Sequence, residues 1–546
     1  MKYLFPKRIL LSENVTNSEK LLTEKTLQIG LCERELTVLQ GKASVILDFG
    51  REWSGGARIL TWNVQGNKTV RLRFGESVSE TCSDVNVKNL GPNANGGATN
   101  DHSNRDFTVQ LQKYSDMTFG QTGFRFLRID TLSDDTVLSL KTIVAAVDTD
   151  TRRFKGSFSC DDPLVNDIWN TAAHTLRLCL QNGYFWDGIK RDRLVWIGDT
   201  YPEMRAAHCL FGDIPETINS LAFAEMEKPK DGWIDNICTY SLWWLIILVD
   251  EYKVNGDKNQ FDRFIPFAKD VVESASAHVK EDGDTAYPWD FLDWPSCYTD
   301  GQPMIKKEDS HAGAAYLTKV AIEKAREFLA VYGEDTSLCE DILSRLAKKS
   351  YNVQKYKQIA AIGVWAGDKS ENNESVLMAN GAKGLSTFLS YFILSAVASY
   401  GHEEEALAMM KEYYGGMLSL GATTFWEDFD LDWLEGVGRI DELPKEGQRD
   451  IHRDTGAYCY TSYRHSFCHG WSAGVVAYLA ETVAGIKPIG TGTKRIKIQP
   501  NLSGLKHIKI NYPTPYGILK VEHTLCKNGK VKTKIDAPKG LEIVKE

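Results

Sequence analysis

The chain has 546 residues, 42% hydrophobic and 25% charged, a balance ordinary for globular proteins and a length that calls for several cores rather than one. A net charge of −9 excludes nucleic acid as the main partner, because a phosphate backbone is bound by a basic surface. The 11 cysteines include no C-x-x-C pair and no Cys/His zinc spacing, and no run approaches the ~18 apolar residues of a membrane span, so neither a metal nor a membrane is expected.

The opening stretch, MKYLFPKRILLSEN, interrupts every apolar run with a charge or a proline. No secretory leader is read there, and the cytoplasm is the expected compartment; an exported chain lacking its leader would read the same. Between residues 30 and 150, short alternating runs such as ASVILDFG, ARILTWNV, TVRLRFGES and FRFLRIDTL are separated by turn-rich inserts. Period-two alternation with Gly, Asn and Asp punctuation predicts an N-terminal β-sandwich over 1–155. The longest insert, GPNANGGATNDHSNRD, reads as a mobile loop.

From residue 160 the period becomes helical. SCDDPLVNDIWNTAAHTLRLCLQN opens with a capping aspartate followed by proline, and Val165, Ile168, Trp169, Ala172, Leu176 and Cys179 then form one apolar stripe. Further helices are predicted at 203–211, 215–226, 237–254, 262–279, 311–332, 336–349, 383–400, 403–417 and 469–484, about ten to twelve in all. Their loops are short and rich in Gly, Asp and Trp, which suits a closed barrel of helical hairpins over 156–485 with a site at one end. Beyond residue 485, RIKIQP, IKINYPTPYGILKVEHTL and KVKTKID return to alternation and predict a small C-terminal β-sheet domain over 486–546.

The chemistry concentrates in five segments: YFWDGIKRDRLVWIGDTYPE (184–203), GWIDNICTYSLWW (232–244), YPWDFLDWPS (287–296), GATTFWEDFDLDW (421–433) and YRHSFCHGWSAG (463–474). Each falls at a predicted helix boundary, and in a barrel of helices those boundaries converge on one rim. Two carboxylates flanking a glycosidic bond suffice for its hydrolysis, one protonating the leaving oxygen and the other activating water. No cofactor is then required, and no P-loop or dinucleotide fingerprint is present. The 14 tryptophans fit a carbohydrate partner, since their faces suit sugar CH groups, although tryptophan is also ordinary core material. Taken alone, Arg191 and Arg193 beside Asp192 read as an ion-pair cluster at a helix start, and Glu427 as a surface glutamate.

Together these segments resemble the catalytic domain of the glycoside hydrolase family 78 α-L-rhamnosidases. Asp187 through Asp199, YSLWW, FLDW, GATTFWE and SFCHGWSAG carry the likeness; PTPYGILKVE is similar to that family's terminal β-domain, and TGFRFLRI to the close of its preceding β-domain. The resemblance implies a central all-α (α/α)6 barrel flanked by the two β-domains, and an inverting hydrolysis that releases α-L-rhamnose. It makes Glu427 the general base. The general acid, a glutamate in most members, falls here on Asp192, one methylene shorter. Asp187, Arg191, Asp199, Asp293 and His469 match groups that bind the sugar, with His465 a neighbour, and Trp196, Trp243, Trp244 and Trp294 match aromatic walls.

A general acid needs a raised pKa, so an arginine touching Asp192 would count against it and leave Asp187 as the second candidate for the proton donor. Two other functions stay open at the level of sequence. A lyase would eliminate rhamnose from a uronic acid using a base and a cation, for which His469, Lys190, Arg191 and Arg193 are available; Glu427 weighs against it because elimination needs no activated water. A sugar-binding protein without catalysis is the third reading.

Overall fold

The structure, a computed structural model, describes residues 2–83, 105–229, 232–299, 302–303, 308–457 and 460–544. Most of the insert 91–106 lies outside them.

The N-terminal part is one antiparallel sheet in the order Lys2–Leu4, Val137–Val147, Thr37–Gln65, Ser115–Thr131, Thr69–Gly75, Asp106–Gln110, with Arg8–Thr16 also paired to Thr37–Gln65. The 29-residue strand Thr37–Gln65 is interrupted by register shifts and bends so far that residues 137–140 lie between its two ends. Shifts of this kind accentuate twist and curl a sheet around its own apolar face. That face carries Leu47, Phe124, Ile129 and Ile143, all buried.

The middle of the chain is helical. Asp162 accepts from the Leu164 amide and Pro163 occupies the first turn of Pro163–Cys179, so the predicted cap is the one used. Thr200–Leu210, Pro215–Glu227, Cys238–Asn255, Ile265–His278, Glu308–Tyr332, Ser337–Leu346, Ser390–Ser399 and Glu403–Ser419 follow close to the predicted positions. Lys357–Trp365 and Glu371–Met378 were not predicted. The first is buried nearly all round, which leaves no polar face to mark a period; the second is only two turns long and is set by its Ser370 cap. The predicted helix at 469–484 begins as a 3-10 turn, Gly470–Gly474, and ends in a π turn, Leu479–Val483. No helix among the described residues is long and apolar enough to cross a membrane.

The C-terminal strands form a three-stranded sheet (Ile486–Ile489, Arg495–Ile498, Glu542–Val544) and a four-stranded one. The latter takes Ser157–Cys160 as an edge, paired antiparallel to His507–Thr514. The start of the helical region therefore belongs structurally to the terminal sheet, a long-range pairing that a boundary drawn at 155/156 from local pattern does not contain.

Candidate active site

Three chain segments meet at one end of the helical region and are knitted by backbone bonds. The Gly470 amide donates to Asp187 O at 2.7 Å, the His469 amide to Phe425 O at 3.0 Å, and the Glu427 amide to Ser466 O at 2.9 Å. A Cβ at Gly470 would stand 1.6 Å from Glu203 Oε1, so a larger residue there would have to displace that buried side chain. Asp187 closes its own loop: its amide donates to Leu194 O at 3.0 Å and its Oδ1 accepts from the Leu194 amide at 2.8 Å. Within that loop Asp192 and Arg193 take left-handed backbone angles, φ 50° and 58°, a costly conformation for residues other than glycine.

The loop aims its side chains in opposite directions. Arg191 is buried and donates through one terminal nitrogen to Glu427 and through Nε to Arg464 O at 2.7 Å, while its other terminal nitrogen lies 3.0 Å from Asp192 Oδ2. Arg193 turns away, over the Trp186 ring and onto Gln121 O. Glu427 is held at its backbone carbonyl by Trp471 Nε1 at 2.9 Å and Thr387 Oγ1 at 2.6 Å, and its Oε2 accepts from the Ser466 amide at 3.2 Å. His469 Nε2 is bonded to Asp199 Oδ1 at 2.9 Å, with its Nδ1 3.7 Å from Glu427 Oε1.

Asp187, Asp192, Asp199, Glu427 and His469 line a cavity of about 380 Å³, together with Trp196, Asp235, Asn236, Ile237, Tyr240, Trp289, Trp294, Arg464 and Trp471. Five of the lining residues are carboxylic acids: Asp187, Asp192, Asp199, Asp235 and Glu427. Burial pushes Asp187 well above the ordinary carboxylate range, and the charges of Asp192 and Asp199 push it further. Burial also raises Asp199, against the bond from His469, and raises Asp235 to about 7. Asp187, Asp199 and Asp235 are thereby biased towards their protonated forms. The cavity therefore sets acids able to give a proton beside Glu427, which is bonded to Arg191.

The sequence placed Asp187, Asp192, Trp196, Asp199, Trp294, Glu427 and His469 in a site, and all seven line this cavity. Arg191 lies behind its wall, bonded to the two carboxylates rather than lining it. Trp243 and Trp244 do not reach it, which corrects their reading as aromatic walls. Both are fully buried on Cys238–Asn255, Trp243 against Trp365 and Phe392, and Trp244 against Phe264 and Phe267 with Nε1 donating to Leu221 O. Asp293 is likewise interior: it accepts from Ser386 Oγ and from the Trp294 amide, and burial raises it to about 7. It positions the Trp294 backbone rather than facing the cavity. His465 is buried behind Glu427, its Nε2 accepting from the Asp428 amide at 3.1 Å.

Asp235 was missed. It accepts from the Ile197 backbone, its Oδ2 has no partner among the described residues, and it and Asn236 adopt φ 55° and 59°. The Asp-Asn pair inside GWIDNI, residue types that tolerate a left-handed backbone, was the available signal in a segment already singled out. Among the described residues the group with metal-ligand spacing is Glu76, Glu80 and His452. The Lys190 ammonium already lies among them, 3.2 Å from Glu80 and from His452, so a second cation fits poorly. Other cavities, near His208 and Tyr512, lie at the opposite end of Thr200–Leu210 and hold the ion pairs His208–Glu251 and Arg205–Glu481.

Residues 153–337 match the bacterial α-L-rhamnosidase six-hairpin glycosidase domain, and residues 485–544 match the bacterial α-L-rhamnosidase C-terminal domain. No curated protein matches the chain. Among solved structures, the family 78 rhamnosidase of Bacillus sp. GL1 superimposes with a TM-score of 0.75 at 20% identity, over 97% of this chain and 55% of its own. A Klebsiella oxytoca rhamnosidase with rhamnose bound gives 0.68 at 20% identity, over 88% of this chain and 94% of its own. The Streptomyces avermitilis α-L-rhamnosidase complexed with L-rhamnose gives 0.67 at 15% identity, over 92% and 48%. The chain thus spans about half the length of the Bacillus and Streptomyces relatives, and at these identities the likeness is one of fold.

Proposed function

We propose that the chain, whose residues 153–337 and 485–544 match the glycosidase and C-terminal domains of the bacterial α-L-rhamnosidases, belongs to family 78 of the glycoside hydrolases and hydrolyses terminal α-L-rhamnosides with inversion. The observation that carries the reading is Arg191: one buried guanidinium holds Glu427 and Asp192 together at a cavity lined by acids and tryptophans. In this reading Glu427 activates water, and Asp192, the more exposed of the two, protonates the leaving oxygen at the cavity mouth. Asp187, Asp199 and Asp235 accept from sugar hydroxyls, and Trp196 and Trp294 cover the apolar face of the ring. We read the helices as an (α/α)6 barrel over 156–485 between β-domains at 1–155 and 486–546, in keeping with the six-hairpin domain matched.

A second assignment of the donor has its own support. Arg191 touches Asp192, and a protonated Asp192 keeps that contact only weakly, so Arg191 would then commit to Glu427. Asp187, in contrast, is held well above the carboxylate range and so already favours the protonated form. Elimination loses support: Arg191 is bonded to Glu427 and Asp192, Lys190 to Glu76 and Glu80, and Arg193 faces Trp186. The deciding experiment is incubation with an aryl α-L-rhamnoside. Release of phenol and rhamnose supports hydrolysis; an unsaturated, ultraviolet-absorbing product from a rhamnosyl uronate indicates the lyase, and no product indicates a sugar-binding protein.

A further inference from the structure

Lys190 precedes Arg191 in the chain and points the other way, into the junction with the N-terminal sheet. Its ammonium lies 2.9 Å from His465 O, 3.2 Å from Glu80 Oε1, 3.3 Å from Glu76 Oε2 and 3.2 Å from His452 Nε2. Glu76 and Glu80 belong to the N-terminal part of the chain, and every one of these side chains is buried. Arg105 completes the charge balance, with Nη2 3.0 Å from Glu80 and Nη1 on Thr122 Oγ1 and Gly123 O. Burial raises the neighbouring Glu52 well above the carboxylate range, raises Glu76 as well, and lowers His452 to about 3, so the charges of Arg105 and Lys190 bear chiefly on Glu80, which they hold below its ordinary value.

This network grips both segments that carry the proposed chemistry. On one side the Gly123 amide donates to Ile189 O at 2.7 Å, and a Cβ at Gly123 would strike the Ile189 side chain at 2.6 Å. On the other, Lys190 holds His465 O and Glu76 Oε2 accepts from the Phe467 amide at 2.7 Å, which brackets Ser466, the residue paired to Glu427 through both amides. One ammonium thus ties the backbone before Arg191 to the backbone behind Glu427.

We infer that Lys190 is a positioning residue: anchored by Glu76 and Glu80, which lie just past the N-terminal strand Thr69–Gly75 with Glu80 on the short helix Val78–Cys82, it sets the spacing across which Arg191 joins Asp192 and Glu427, so that the N-terminal domain completes the active site. The inference rests on the hydrolase reading above. Displacing catalytic groups by about 1 Å costs on the order of 100-fold in rate without removing any contact to substrate.

The test uses the full chain and 4-nitrophenyl α-L-rhamnoside. Lys190→Met should lower kcat about 10- to 100-fold with KM changed by less than about 3-fold. Arg205→Met removes another largely buried cation, paired with Glu481 at 2.6 Å away from the site, and should lose thermal stability while keeping kcat. Equal kcat losses in the two variants, or an unchanged kcat in Lys190→Met, overturn the inference. Should Lys190→Met fail to fold, Glu76→Gln replaces it: a lower kcat at constant KM supports the role, and an unchanged kcat overturns it. Hydrogen exchange needs no substrate and separates this inference from the hydrolase reading. Peptides spanning 187–194 and 465–469 should exchange faster in Lys190→Met and not in Arg205→Met, even if the wild-type chain turns over no rhamnoside; unchanged exchange there overturns it.

Discussion

The guanidinium of Arg191 is bonded to the carboxylate of Glu427, and both side chains are buried. Glu427→Gln keeps the shape and removes the base, so turnover of an aryl rhamnoside should fall by roughly 10²–10⁴-fold. Asp192 still neutralises Arg191, so the loss of stability should be smaller than the ~3–5 kcal/mol of a fully orphaned buried charge. Near-normal kcat in a folded variant rules out Glu427 as the base.

Stereochemistry is an independent check. A base that activates water on the face opposite the leaving group yields rhamnose of inverted anomeric configuration, and acid–base pairs of this kind stand roughly 6.5–9.5 Å apart. Proton NMR of the first-formed product should show inversion. Retention would instead require a carboxylate nucleophile and reject the mechanism.

The donor can be identified by leaving group. An activated phenolate departs with little protonation, whereas a natural glycoside needs it. Asp192→Asn should therefore spare 4-nitrophenyl rhamnoside far better than a natural rhamnoside and abolish the basic limb of the pH–rate profile. Asp187→Asn and Asp199→Asn should damage both substrates alike. If Asp187→Asn shows the leaving-group dependence, the proton sits on Asp187, and Asp192 serves only to hold Arg191.

Asp235 makes a prediction about pH. Burial raises its carboxyl from 3.8 to about 7, so the folded chain binds this proton more tightly than the unfolded chain. Its contribution to stability is complete below the unfolded value and is lost as pH rises through the folded value. Asp235→Asn, neutral throughout, should match the wild-type melting temperature near pH 4 and exceed it near pH 8. Because Oδ2 has no protein partner among the described residues, the same variant should raise KM for the rhamnoside more than it lowers kcat. Identical pH–stability curves would remove both roles.

The tryptophans divide by location. Trp244→Ala should cost about 3–5 kcal/mol of stability, as expected for a large buried aromatic, with substrate affinity retained in whatever protein stays folded. Trp196→Ala and Trp294→Ala should weaken rhamnose binding with a far smaller drop in melting temperature. Calorimetric titration with L-rhamnose reads the difference, and equal losses of affinity at Trp244 and Trp196 would overturn the division.

Local pattern made the order of sheet, helices and sheet legible, because apolar period reports which face of each element is buried. It also picked out the segments of the cavity, since Asp187, Asp199 and Glu427 lie in runs too apolar for a solvated surface and too charged for a core. It could not separate Trp196 from Trp243. Both sit among aromatics, and only the packing of Cys238–Asn255 against Trp365 and Phe392 turns one inward while the other faces the cavity. Nor could it tell that Lys190 and Arg191, adjacent and alike in charge, serve different partners. One finds Glu76 and Glu80, about 110 residues earlier, and the other Glu427, more than 230 residues later. Residue type and period are local properties of the chain, whereas the partner of a buried charge is fixed by which distant backbone the fold brings within about 3 Å of it.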